Sequence, residues 1–260
     1  MKLNFGGEIN MKYTVITGAS SGIGYETALA FAARGKNLVL VARRLDKLEE
    51  LKSTIQDNHP ELDVVIHLSD LSVTHQAYKL YNDLKEYQIE TWINNAGLGE
   101  GSFVAEQKLE KVETMLRVNI ESLTILSTLY VRDYADVEGT QLINVSSALG
   151  YVIAVGSVAY SASKYYVSAF TEGLAKELEL KGAKTKAKIL APAITETEFV
   201  KKSIDVEEFD YTANMPKYHT AKQMASFMLD LFDSNEVVGI VDQNYDFNLR
   251  GPIYPIFEGL

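Results

Sequence analysis

Short runs rich in Val and Ile alternate along this chain with longer amphipathic segments. That alternation leaves few folds open, because it is the pattern of βαβ units feeding a parallel sheet. The apolar runs predict strands at Tyr13–Thr17, Asn37–Ala42, Asp63–Leu68, Thr91–Asn94, Thr140–Val145, Ala187–Leu190 and Val237–Val241. Helices are predicted between them at Gly22–Arg34, Leu45–Asp57, Thr74–Tyr87, Glu110–Ala135, Ser157–Lys181 and Ala221–Phe232, with Gly35 and Gly182 as left-handed residues after the first and fifth. The expected architecture is α/β: a Rossmann-like, doubly wound sheet of seven parallel strands with helices on both faces.

A chain of 260 residues lies within the range that α/β folds fill with one domain. No linker, repeat or low-complexity tract divides it, so residues 11–260 are expected to form a single domain. Residues 1–10 show no apolar periodicity and are expected to be a disordered extension or a cloning remnant. Residues 195–220 break the alternation, being irregular and rich in acids and aromatics. An irregular insertion of that length in a compact domain is usually functional, which makes it the candidate substrate lid.

The longest apolar runs, such as Leu38–Ala42, have the length of strands and could not span a bilayer. A net charge of −10 argues against a nucleic-acid or anionic-membrane partner. The absence of cysteine excludes disulfides, thiolate metal sites and cysteine nucleophiles. The four histidines, His59, His67, His75 and His219, show no metal-ligand spacing, so no catalytic metal is expected. Without a signal-peptide pattern, the cytoplasm is the expected location.

Thr17-Gly18-Ala19-Ser20-Ser21-Gly22-Ile23-Gly24 joins the first predicted strand to the first predicted helix. Glycines there let the backbone turn tightly and approach a pyrophosphate, and the helix start offers free N–H groups with a positive dipole. Gly18, Ser20, Ser21, Gly22, Ile23 and Gly24 are therefore candidate dinucleotide contacts. At the end of the second strand, where NAD-binding domains often place a carboxylate for the ribose, this chain has Arg43 and Arg44. A guanidinium fork suits a 2′-phosphate, so NADP(H) is expected over NAD(H), with Arg43 the nearer contact and Arg44 its support.

Tyr160 and Lys164 stand four residues apart, on one face of the fifth predicted helix. A free tyrosine titrates near pH ~10, and a cation one turn away favours its phenolate. Ser147 precedes Tyr160 after the fifth strand, Asn94-Asn95-Ala96-Gly97 follows the fourth, and Asn119 lies in the next helix. Together these residues resemble the short-chain dehydrogenase/reductase family in its shorter, single-domain branch, from about Met11 to Phe199. The resemblance implies a Rossmann fold whose active site is Asn119, Ser147, Tyr160 and Lys164. Tyr160 would give a proton to the developing oxyanion, Ser147 would hold that oxygen, and Lys164 would lower the tyrosine pKa and bind the nicotinamide ribose. Asn119 would kink its helix and begin a proton relay.

The same resemblance implies further cofactor contacts at Asp70, Leu71, Asn95, Ala96, Gly97, Pro192, Thr195 and Thr197. Ala193 stands where relatives usually have glycine, so a different local backbone is expected there. A homodimer or homotetramer is implied through the helices Glu110–Ala135 and Ser157–Lys181, with the apolar tail Pro252–Phe257 contributing. The loop Ala148–Ala159 carries Leu149, Tyr151, Val152, Ile153 and Val155, which suits a hydrophobic or mixed small-molecule carbonyl or alcohol. Asp205, Glu207 and Glu208 in the lid could face solvent or a cationic substrate. Two rivals stand beside the oxidoreductase: an epimerase or dehydratase on the same fold, and a non-catalytic NADP-sensing regulator.

Overall fold

A strand covered on both faces must be apolar nearly throughout, and β1 (Lys12–Thr17) and β2 (Asn37–Ala42) meet that demand: every residue after the first is buried. Along them the side chains alternate between two cores. Ile16, Leu38 and Leu40 join one, Tyr13, Val15, Val39 and Val41 the other. The computed structural model describes residues 11–257, so the expected extension at 1–10 lies outside the described residues. From β1 the chain runs through α1 (Gly22–Ala32), β2, α2 (Leu45–Asn58), β3 (Val64–Leu68), α3 (Gln76–Asp83), β4 (Gln88–Asn94), α4 (Leu109–Leu116), α5 (Leu123–Tyr134) and β5 (Gln141–Val145). It continues as α6 (Val158–Leu180), β6 (Lys186–Ala191), β7 (Thr195–Glu196), α7 (Phe199–Ser203), α8 (Tyr211–Asn214), β8 (His219–Thr220), α9 (Ala221–Asp233), β9 (Val238–Val241) and β10 (Phe247–Arg250).

The main sheet has the order β10-β9-β6-β5-β4-β1-β2-β3. All seven expected strands are present and parallel, and β10 adds an eighth that returns antiparallel to β9. The turn between them is built by Asp242, whose side chain accepts from the N–H groups of Asn244 and Asp246, with Tyr245 at φ 68°. The winding direction reverses between β1 and β4, and in open α/β sheets a crevice forms over the carboxyl ends of the strands at such a point.

Two other expectations are corrected. The single helix over 110–135 is broken by a π-helical stretch, Arg117–Ser122, between α4 and α5. The lid segment is not structureless, since β7 and β8 pair with each other and α7 and α8 lie between them. Among the described residues no helix is long and apolar enough to cross a membrane.

Candidate active site

The glycine loop sits at the crevice because β1 and α1 leave it no room elsewhere. Gly18 and Gly22 have φ of 69° and 56°, where L side chains are strained. A Cβ on Gly24 would stand 2.4 Å from the Gly18 carbonyl oxygen and from Asn95 Nδ2, so helix and loop pack backbone to backbone. Ser21, at the N-cap of α1, makes no side-chain cap bond, which leaves the first helical N–H groups for an anion. Thr17 ties this loop to the end of β4: its Oγ1 accepts from the N–H groups of Asn95 and Ala96, both at 3.0 Å, and its carbonyl accepts from Asn95 Nδ2 at 2.9 Å.

From this loop a cavity of about 910 Å³ extends across the carboxyl ends of the strands, and every predicted site residue lines it except Gly24 and Asn119. Gly24 is covered by the contact just described. Asn119 is fully buried inside the π-helical stretch. Its Oδ1 accepts from Leu98 N–H at 2.9 Å, and its Nδ2 donates to Leu98 O at 2.9 Å and to Ser163 Oγ at 3.0 Å. The side chain thus clamps the loop after β4 onto α6.

Ser147, Tyr160 and Lys164 meet at the inner end of the cavity. Ser147 Oγ accepts from Leu149 N–H at 3.1 Å, capping a short turn, and donates to Pro192 O at 3.5 Å. Lys164 Nζ donates to Val145 O at 3.0 Å and lies 5.8 Å from the centre of the Tyr160 ring. The expected acidification of Tyr160 by Lys164 is not what this geometry gives. Burial pushes the tyrosine up to about 12, against a smaller downward pull from Ser147. Burial brings Lys164 down to about 8, since a charged ammonium is poorly solvated there.

At the outer end, both arginines line the cavity, with different partners. Arg44 lies on the glycine loop, donating from Nη2 to Ser20 O at 3.3 Å and from Nη1 to Glu198 at 3.2 Å. Arg43 is more exposed and stands 3.9 Å from Asp70. Asp70 Oδ1 accepts from the N–H and hydroxyl of Ser72, which with Arg43 holds its carboxyl below the usual range despite the opposing effect of burial. It shapes the turn after β3, while α3 starts later, at Gln76.

The start of α7 packs against the loop after β4 and beside Tyr160. A Cβ on Gly99 would stand 2.8 Å from Phe199, and the Phe199 ring lies 5.5 Å from that of Tyr160. Asp205, expected to face solvent or a cationic substrate, is exposed to solvent and also pairs with Lys108 at 2.9 Å and Lys111 at 2.8 Å, and Lys111 reaches Glu100 at 3.2 Å. Glu207 and Glu208 are exposed. Leu149, Tyr151 and Val152 line the cavity as expected, whereas Ile153 and Val155 are 69% and 84% exposed.

Residues 12–208 match the family described as short chain dehydrogenase. The chain belongs to the short-chain dehydrogenase/reductase family. It is 36% identical over 191 residues to an oxidoreductase of Staphylococcus saprophyticus, covering 72% of this chain and 75% of the relative. It is 35% identical over 190 residues to a sulfoacetaldehyde reductase of Chromohalobacter salexigens, covering 71% and 72%. Among solved structures, a short-chain dehydrogenase from Sphingobium yanoikuyae in complex with NADPH superposes with a TM-score of 0.80 at 30% identity, covering 88% of this chain and 87% of that one. A bulky-bulky ketone specific alcohol dehydrogenase from Comamonas testosteroni gives 0.77 at 27% identity, covering 89% and 86%.

Several wall residues were not foreseen: Glu100, Glu198, Phe199, Met215 and the stretch Ile240–Asp242. Glu198 and Phe199 directly follow Thr197, so their place in the lid was a usable signal. Ile240–Asp242 reaches the cavity only through the sheet order, as the carboxyl end of β9 beside β6.

Proposed function

We propose that this protein is an NADP(H)-dependent oxidoreductase that interconverts a carbonyl and a secondary alcohol on a hydrophobic small molecule. The observation that carries the reading is one cavity with Ser147, Tyr160 and Lys164 at its inner end and the uncapped start of α1 at its outer end. The cradle fits a dinucleotide: no side chain fills the loop at Gly18 or Gly22, and a Cβ on Gly22 would run into Thr197 at 2.9 Å. The Gly18–Gly24 loop would hold the pyrophosphate, Arg44 and Arg43 the 2′-phosphate, and Lys164 the nicotinamide ribose. When bound, the nicotinamide supplies or accepts the hydride.

The chain's own residues handle the proton and the oxygen. Near neutral pH Tyr160, held at about 12, carries its proton and can donate it to an oxygen gaining charge. Ser147 is placed to hold that same oxygen. Lys164, at about 8, is mostly charged at neutral pH and favours a tyrosine that has just lost its proton. The walls formed by Leu149, Tyr151, Val152, Ile194, Phe199 and Met215 suit an apolar substituent better than a charged one. The NADPH complex of the Sphingobium relative and the ketone specificity in the name of the Comamonas enzyme support the same reading.

Steady-state kinetics with NADPH and NADH over a panel of ketones and aldehydes test it. The expected result is a preference for NADPH of about tenfold or more, lost in Arg44→Asp and reduced in Arg43→Asp. Equal efficiency with NADH in the wild type would refute the cofactor assignment.

A further inference from the structure

Glu172, in the middle of α6, is 1% exposed, and the chemistry above gives its carboxylate no task. Burying a carboxylate is costly unless its oxygens are hydrogen bonded. Here they hold three donors from two distant parts of the chain. Oε1 accepts from the Tyr151 hydroxyl at 2.6 Å, and Oε2 accepts from the backbone N–H of Ile253 at 2.6 Å and of Tyr254 at 2.9 Å. Tyr254 then reaches the same loop from the other side. Its hydroxyl donates to Gly150 O, and its ring stacks on Tyr151 with centroids 5.3 Å apart and planes at 22°.

Gly150 ends the turn that Ser147 caps, and Tyr151 follows it and forms part of the cavity wall. Gly150 is gripped from below as well, since a Cβ there would stand 2.5 Å from Ser146 Oγ and Ser168 Oγ. The loop that places Ser147 and the apolar wall is therefore held between α6 and the chain's C-terminal segment, with Glu172 joining the two. A shift of about 1 Å at such a place can cost a large factor in rate, because the reacting groups must stay aligned.

We propose that Glu172 is a positioning residue that makes the segment Pro252–Tyr254 part of the substrate site. By bonding Tyr151 and the tail amides together, it sets where the substrate oxygen meets Ser147 and how large a group fits beside Tyr151. This rests on the oxidoreductase reading given above. Its physical core, the bracing of the loop, can be tested without turnover.

The test compares wild type with Glu172→Ala, Glu172→Gln and Tyr254→Ala, each first checked for cooperative thermal unfolding. Hydrogen exchange of the Gly150, Tyr151 and Val152 amides, which bond to Ser147 O, Ala148 O and Ala148 O, should speed up about tenfold or more in both alanine variants. Amides of β1 and α1 should keep their wild-type rates, and NADPH affinity should stay within about twofold. In propiophenone reduction KM should rise about fivefold or more, with a smaller rise for acetone. Glu172→Gln should behave nearly as wild type, since its amide oxygen can accept from the tail and its NH2 can donate to Tyr151. Unchanged loop exchange in a folded Glu172→Ala protein would overturn the proposal. So would damage from Glu172→Gln equal to that from alanine, because a bonding hub predicts rescue. If the wild type reduced neither ketone, the functional reading would fail while the exchange rates still judged the brace.

Discussion

Lys164 on α6 and Lys188 on β6 are both nearly sealed from solvent, at 4% and 1% exposure, and burial lowers each to about 8. Their partners differ. Lys188 places its ammonium against three carbonyls at the C-terminal end of α9: Leu231 at 2.8 Å, Phe232 at 2.9 Å and Ser234 at 2.7 Å. That matches its three donors and meets the negative end of the helix dipole. Lys164 makes one hydrogen bond among the described residues, to Val145 O, and faces the cavity beside Tyr160. Two lysines with the same burial are thus told apart by how fully their donors are met. The satisfied one closes a helix end, and the under-satisfied one faces the cavity.

The strongest way to break this comparison is Lys164→Met. Turnover should fall by about 10³-fold or more while the thermal midpoint stays near that of wild type. A variant that kept its rate would make Lys164 another structural lysine. Lys188→Met should do the reverse, losing ~3 kcal/mol of stability as three carbonyls go unmet, or roughly 6–12 °C in midpoint. Its rate per folded molecule should be unchanged, and an inactive but stable protein would erase the distinction.

A smaller effect sharpens the comparison through pH. For carbonyl reduction, kcat/KM should hold below about pH 8 and decline above it, as Lys164 loses its proton in the free enzyme. Lys188→Met should keep that inflection. For stability the sign is fixed by the depressed values: above about 8 the unfolded chain, with lysines near 10.5, binds protons that the folded chain has released. Stability therefore rises with pH from about 8 toward 10, and each methionine variant should remove its own share of the rise. Chemical denaturation at a series of pH values reads it directly.

What could be read from the sequence was what short motifs and periodicity encode. The glycine loop, Ser147, Tyr160 and Lys164 are each local patterns, and the parallel order follows from alternating strands and helices. Three things were not legible. The resemblance implied a kink at Asn119, but its π-helical form and the bonds it makes to the Leu98 backbone leave no periodic mark. The eighth strand, Phe247–Arg250, is a short hairpin return set by the Asp242 turn. The direction of the Tyr160 shift depends on how much burial the whole domain imposes, which a nearby lysine in the sequence cannot reveal. The lid acids behaved similarly: Asp205 found Lys108 and Lys111 across more than ninety residues, a pairing that only the fold brings about.

In the proposed reaction Tyr160 passes the proton inside an NADP(H)-binding cavity. Its most direct test is Tyr160→Phe, assayed for NADPH consumption with a ketone that the wild type reduces, alongside NADPH binding measured by fluorescence. The account predicts turnover lowered by at least about 10³-fold with NADPH affinity within about twofold of wild type. Turnover that survives the loss of this hydroxyl would contradict it.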